Sequence, residues 1–377
     1  MKIGIYTPYL NTYGGGEKYI CKIAEILSKE HDVEFIVFEK PDIKQLQNRL
    51  NVNLSDVSFN YLKVPNLSSR APYFRVLIRG YAVSNITKSY DLFINQENNT
   101  LIPSYAKKSI YICQLPTRKL KASSLLKVSS RFLPIDIPLD TYDKILTYSY
   151  YNKRYIEKWW NKKEIEVLYP PVDVEQFHPT SKENIILSVG RFFVGGHNKK
   201  QLEMIRAFKQ LYDENETLND WEYHLVGGVS TNTEAQEYLK KCQKEAKGYP
   251  IYFHVNVPFG VLKELYARCK IYWHATGLNG DENKHPERME HFGITTVEAM
   301  AAGCAPIVIN KGGQPEIVRN MIDGFLWNST EELKKYTLEL INDETLWKKM
   351  STSAIKRSQK FGITKFKKRV KQAFGGY

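Results

Sequence analysis

The chain has 377 residues, 42% hydrophobic and 25% charged, a composition that excludes a disordered or low-complexity protein and leaves room for two α/β cores. Its formal charge of +13 is uneven: residues 1–170 hold 25 Lys and Arg against 16 Asp and Glu, and the remainder 29 against 25. Such a basic surface attracts phosphorylated substrates, anionic lipid or nucleic acid without choosing among them. No helix-turn-helix, zinc-finger or RNP pattern accompanies it, so nucleic acid is not expected.

Met1–Pro8 is too short and interrupted for a signal peptide, and no apolar run approaches the roughly 20 residues that span a bilayer. The five cysteines, Cys21, Cys113, Cys242, Cys269 and Cys304, are scattered and odd in number. That pattern fits a reducing cytoplasm.

In chain order, the apolar run Ile3–Tyr6 predicts a first strand. The turn Gly14-Gly15-Gly16 follows, then a helical pattern through Tyr19, Ile20, Ile23, Ala24 and Leu27. Further strands are predicted at Val33–Phe38, Val57–Val64, Asp91–Asn95, Ser109–Leu115, Lys144–Tyr148 and Ile165–Leu168, with helices near 72–89 and 149–160. Two prolines in Tyr169-Pro170-Pro171-Val172-Asp173 interrupt the pattern and mark a linker. A second series has strands at Asn184–Val189, Glu222–Val226, Ile251–Val257, Lys270–Ala275 and Ala305–Ile309, and helices near 200–212, 233–246, 260–268 and 294–302.

Alternation of this kind predicts two doubly wound parallel α/β sheets. The domains are placed at 1–169 and 181–355, with a linker at 170–180. A C-terminal helix, 356–377, is expected to return to the first domain. Ligands of such folds bind in crevices at the carboxyl ends of the strands.

The strongest chemical signal is Glu290-His291-Phe292-Gly293-Ile294-Thr295-Thr296-Val297-Glu298-Ala299-Met300-Ala301-Ala302-Gly303. Gly293 ends a loop, and Thr295 or Thr296 can cap a helix carrying Glu298 in its first turn. The free N–H groups and dipole of that helix start suit a diphosphate. One carboxylate can accept from sugar hydroxyls and the other from ribose hydroxyls.

The spacing E-x7-E, with F-G inside it and E-A-M-A-A-G after it, resembles glycosyltransferase family 4, retaining enzymes of the GT-B fold. Gly312-Gly313-Gln314-Pro315-Glu316-Ile317-Val318 matches that family's G-G-x-x-E-I-V continuation, and E-H-F-G is similar to mannosyltransferases that build lipid-linked oligosaccharides. The resemblance implies two Rossmann-like domains facing across a cleft. It implies donor contacts from Gly15, Gly16, Glu290, His291, Phe292, Gly293, Ile294, Thr295 and Glu298. It also implies that Arg191 and a lysine clamp the donor diphosphate. Register with the following helix favours Lys199, while the lengthened loop keeps Lys200 open.

Glu17, after the glycine turn, reads equally as an acceptor contact or as a first-turn helix acid. Many relatives carry histidine where Cys113 stands, so either Cys113 or Gln114 takes over that contact or the role is empty, and a buried cysteine packs as a small hydrophobe. His274, at a strand end, is read as a sugar contact or a satisfied core histidine.

No D-x-D and no clustered metal ligands occur, so no metal and no cofactor beyond the nucleoside-diphosphate sugar is expected. GDP-mannose is the favoured donor, and a glycan or lipid-linked acceptor is expected. Residues 117–133 carry five positive charges and no acid among Leu, Val and Phe, which suits an anionic membrane face or a solvated loop equally. The alternatives are a GT-B epimerase or phosphorylase, or a non-catalytic basic protein on membrane or nucleic acid. The oligomeric state is not specified by the sequence.

Overall fold

The computed structural model describes residues 1–8, 10–12, 14–64, 72–98, 100–116, 138–162 and 164–375, with main chain only at 12 and 72–75. The chain divides into two compact units, Met1–Pro171 with Phe366–Tyr377, and Val172–Lys365.

Among the described residues, unit 1 holds seven strands: β1 (Lys2–Tyr6), β2 (Asp32–Val37), β3 (Val57–Tyr61), β4 (Leu92–Asn95), β5 (Lys108–Cys113), β6 (Lys144–Thr147) and β7 (Ile165–Val167). They pair in the order β3-β2-β1-β4-β5-β6-β7, all parallel. A parallel sheet needs cover on both faces, and β5 shows how the alternation supplies it. Ile110 and Ile112 enter a core with Ile3, Ile5, Ile20 and Ile23, whereas Tyr111 and Cys113 enter a second core with Phe93, Ile145 and Ile156.

Unit 2 holds β8 (Glu183–Val189), β9 (Glu222–Gly227), β10 (Ile251–Val255), β11 (Cys269–His274), β12 (Ala305–Ile309) and β13 (Phe325–Trp327). Their order is β10-β9-β8-β11-β12-β13, again all parallel. Its core gathers Ile186, Phe208, Leu225, Trp273, Ile307 and Trp327. In each unit the chain winds outward from its first strand and then reverses. The resulting switch point lies between β1 and β4 in unit 1, and between β8 and β11 in unit 2. Crevices at such points are where doubly wound sheets take ligands.

Several elements lie outside the sequence expectations: the helices Ile43–Leu50, Thr330–Asn342 and Glu344–Ser358, and the three-residue strand β13. The tail from 356 is not one helix. Glu344–Ser358 ends in a 3-10 turn at Gln359–Phe361, and Gly362 pairs with Val172 where the chain enters unit 2. A new helix, Ile363–Phe374, then buries Phe366, Val370, Ala373 and Phe374 in the core of unit 1.

Candidate active site

The crevice between β8 and β11 collects most of the residues singled out in the second half of the sequence. Strand β8 ends at Val189 and runs into Gly190-Arg191, while β11 ends at His274. Gln201, buried at the start of the helix Gln201–Glu214, donates its Nε2 to the carbonyls of Gly190 and Arg191, 3.1 Å each. This staples the loop to the helix. A Cβ at Gly190 would stand 2.6 Å from Lys199 Cγ, so the glycine lets the lysine stem cross the strand end.

The Lys199 ammonium lies 2.5 Å from Glu290 Oε2, and both side chains are about four-fifths buried. The same oxygen lies 3.1 Å from His274 Nε2, which is also 3.2 Å from Thr276 Oγ1. Burial lowers the His274 pKa, so the ring is neutral, and the carboxylate at Nε2 assigns the proton there. Nδ1 is then a bare acceptor, buried and without a hydrogen-bond partner. Burial alone would raise the Glu290 carboxyl, but the Lys199 charge and the His274 hydrogen bond outweigh it and hold the group well below the usual carboxylate range. Glu290 is thus held as a carboxylate at neutral pH.

The Gly-Gly pair of the G-G-x-x-E run packs on this acid's main chain. Gly313 N–H donates to the Glu290 carbonyl at 2.7 Å, and a Cβ at Gly312 would come within 2.3 Å of that oxygen. His291 faces His197, ring centroids 4.5 Å apart and nearly perpendicular. Burial is the main cause that lowers both, His291 to about 3, so neither ring adds charge to the site.

The donor helix spans Ile294–Ala301, and here two expectations are corrected. Its N-cap is Gly293, with no side-chain cap, because both threonines face tertiary partners. Tyr272 O–H donates to Thr295 Oγ1 at 2.8 Å, and Thr296 Oγ1 donates to Gln314 Oε1 at 2.9 Å. Glu298 consequently sits in the second turn, where Tyr266 O–H donates to its Oε2 at 3.1 Å and to the Thr295 carbonyl at 3.2 Å. The uncapped first turn leaves backbone N–H groups for an anion.

The structure separates the two adjacent lysines. Lys200 adopts a positive φ of 61° and pairs with Glu203 at 3.4 Å on its own helix, while Lys199 reaches Glu290. Arg191 is exposed, with its guanidinium over the Phe193 ring at 5.4 Å. Phe292 is buried against Phe361, 5.5 Å between ring centroids.

In unit 1 the glycine turn lies at the switch point between β1 and β4. The Glu17 carboxylate accepts from Gly14 N–H at 2.6 Å and is buried, so it closes its own helix start. Gln96, one residue past β4, donates Nε2 to the Gly16 carbonyl at 2.9 Å and lies 2.6 Å from the Tyr148 hydroxyl. Gln114 Nε2 would lie 2.6 Å from a Cβ on Gly16, and its carbonyl accepts from Asn152. Cys113 is 1% exposed in the second core, and burial pushes its thiol well up. It packs as a small hydrophobe, leaving Gln114 as the polar group beside the turn. Sequence reading missed Gln96, Gln314, Thr276 and Tyr266, whose partners lie 80, 18, 2 and 29 to 32 residues away.

Among the described residues no group of three or more His, Cys, Asp or Glu is arranged to hold a metal, and no helix is long and apolar enough to cross a membrane. The segment 117–133 lies outside the described residues.

Comparison with known proteins agrees with this architecture. Residues 172–358 match the family model described as "Glycosyl transferases group 1". Among curated proteins, the chain is 24% identical to "GDP-Man:Man(3)GlcNAc(2)-PP-Dol alpha-1,2-mannosyltransferase" of Dictyostelium discoideum, over 97% of this chain and 83% of that one. It is 25% identical to the "Alpha-1,3/1,6-mannosyltransferase ALG2" of the same organism, over 74% of each. Among solved structures, sucrose-phosphate synthase from Thermosynechococcus elongatus superposes with a TM-score of 0.74 at 15% identity, covering 100% of this chain and 98% of that one. Anabaena HepE, in complex with UDP and glucose, superposes at 0.71 and 17% identity, covering 100% of each. The fold is therefore GT-B, and over residues 172–358 the chain is similar to the group 1 glycosyl transferases.

Proposed function

We propose that this glycosyltransferase moves a mannosyl residue from GDP-mannose to a hydroxyl of a glycan or lipid-linked acceptor, with retention at the anomeric carbon. The observation that carries the reading is the Lys199–Glu290–His274 cluster, set at the switch point of unit 2 beside an uncapped helix start. The named mannosyltransferases among the relatives support the choice of donor.

In this reading the diphosphate lies against the start of Ile294–Ala301, with Lys199 and the exposed Arg191 as its counter-charges. Fixed positive charge stabilises the leaving group most as the bond from the anomeric carbon to phosphate oxygen breaks. Glu290, held ionised by Lys199 and oriented by the His274 N–H, accepts from sugar hydroxyls. Glu298, steadied by Tyr266, accepts from the ribose. The acceptor hydroxyl attacks from the face the diphosphate leaves, and its proton passes to a phosphate oxygen. The step therefore calls for no free protein base, and Glu290 is already engaged as an acceptor. We place the enzyme on the cytoplasmic side of a membrane that carries its acceptor.

The test is a thermal-shift panel of GDP-, UDP-, ADP- and dTDP-sugars, since a ligand that binds only the folded state raises the unfolding midpoint. GDP-mannose is expected to give the largest shift. A larger shift with a UDP-sugar would reassign the donor, and no shift with any of them would sink the transferase reading. Incubating donor with water alone and analysing the products separates transfer from epimerisation.

A further inference from the structure

One chemical pair in unit 2 has no part in the reaction above. Cys269 opens β11 and Cys304 directly precedes β12; these strands are hydrogen-bonded neighbours, with Ile271 opposite Ala305. Both cysteines are 0% exposed, and their sulfurs lie 2.6 Å apart. Neighbouring strands lie about 5 Å apart, within the Cα separation a cystine spans, and here the two sulfurs themselves meet across the strand ends.

The surroundings are asymmetric. Lys182 Nζ donates to the carbonyls of Cys269 and Ala302, at 2.9 and 2.7 Å, which places a cation beside the pair. Burial acts to raise the Cys304 thiol, but the hydrogen bond from Cys269 and the Lys182 charge bring it down, whereas burial drives Cys269 up. Cys304 is the readier thiolate and Cys269 its proton-bearing neighbour.

We propose that Cys269 and Cys304 form a reversible redox-modification site, closing to a disulfide under a small peroxide and reopening with thiol reductants. The Cys304 sulfur attacks the peroxide oxygen, giving a sulfenic acid and, with the thiol proton, one water. The Cys269 sulfur then attacks the sulfenic sulfur, the S–S bond forms and a second water leaves. Two thiols are oxidised and one hydrogen peroxide is reduced. Because both sulfurs are buried, the reaction proceeds through local opening of the strand ends.

The modification reaches the donor site through one residue. Cys304 donates its S–H to the Tyr266 carbonyl at 3.3 Å, and the Tyr266 hydroxyl holds Glu298 and the Thr295 carbonyl. Oxidation removes that S–H donor and redraws the strand ends beneath Tyr266, weakening its hold on Glu298. This consequence rests on the proposed role of Glu298 at the nucleotide.

The full chain is treated with hydrogen peroxide, quenched, and alkylated after denaturation, and GDP affinity is measured before and after. The expected result is a Cys269–Cys304 linked peptide, with Cys21, Cys113 and Cys242 still alkylated. GDP affinity should fall about fivefold or more and recover with dithiothreitol. Cys269→Ser and Cys304→Ser should bind GDP as the reduced protein does and ignore peroxide. Full alkylation of Cys269 and Cys304 after oxidation, a link to another cysteine, or a formed link with unchanged affinity would each overturn the proposal. Absence of GDP binding by the reduced protein would instead strike the transferase reading, because the peptide readout is independent of it.

Discussion

The two units present the same topological position with opposite chemistry. At the unit 2 switch point, Lys199, Glu290 and His274 form a charged, hydrogen-bonded cluster, with Arg191 exposed beside it. At the unit 1 switch point the groups around the glycine turn are amides and a phenol: Gln96, Gln114 and Tyr148. The Glu17 carboxylate there is turned onto Gly14 N–H. Fixed charge is what a departing diphosphate requires, whereas a glycan hydroxyl is met by neutral donors and acceptors. The fold supplies a crevice in each unit, and in the proposed transfer the charged rim would take the donor and the neutral rim the acceptor.

That contrast can be broken most severely at Glu290. Glu290→Gln keeps the shape but removes the charge that Lys199 and His274 face, and transfer should fall on the order of 100-fold or more in steady-state assays. A loss below tenfold would remove Glu290 from the centre of the account. Next comes the pair of adjacent lysines. Lys199→Ala should cost roughly 100-fold in kcat/KM, while Lys200→Ala, facing Glu203, should stay within about twofold. Equal effects would mean that the two are interchangeable.

In unit 1, Gln96→Leu unties the Gly16 carbonyl, and loss of one such hydrogen bond should lower transfer about tenfold with the fold intact by circular dichroism. Cys113→Ala should leave activity nearly unchanged and cost about 1 kcal/mol of stability in urea unfolding, the effect of trimming a packed core. If activity collapsed instead, the thiol would have the role its histidine counterparts have in relatives.

A pH experiment probes unit 2 more gently. The His291 ring is held down to about 3 by burial, with His197 adding to it. An unfolded histidine titrates near 6.5, so below about that pH the unfolded chain binds a proton that the folded one refuses. Stability present at pH 7 is therefore lost as pH falls from about 6.5 toward about 3. His291→Gln should flatten that acid slope of unfolding free energy by one proton's contribution. An unchanged slope would show that the ring is already protonated in the fold.

Much of this was legible in the sequence. Apolar runs located twelve of the thirteen strands among the described residues. The missing one, Phe325–Trp327, is too short to show a period. The helix Ile43–Leu50 escaped because only Leu46 and Leu50 are buried, which leaves no stripe to read. The break at 359–362 escaped because Lys356–Phe374 reads as one continuous basic, amphipathic stretch, although its return to unit 1 was expected.

For the candidate site, the family resemblance and helix register singled out Glu290, Glu298 and Lys199, with Lys200 left open. The local pattern misreads the helix start, because Thr295 and Thr296 look like caps until Tyr272 and Gln314 arrive from elsewhere in the chain. Gln96 carried no local signal at all; its importance comes from the β1–β4 neighbourhood, which only the folded topology creates.

The central claim is that the donor nucleotide is held by the charged rim of unit 2. Hydrogen exchange of the full chain, with and without GDP-mannose, tests it most directly. New protection is expected in Gly190–Gln201 and Glu290–Glu298, with the amides of β1 through β7 unchanged at their centres. Protection confined to unit 1, or none in Glu290–Glu298 at saturating donor, would contradict it.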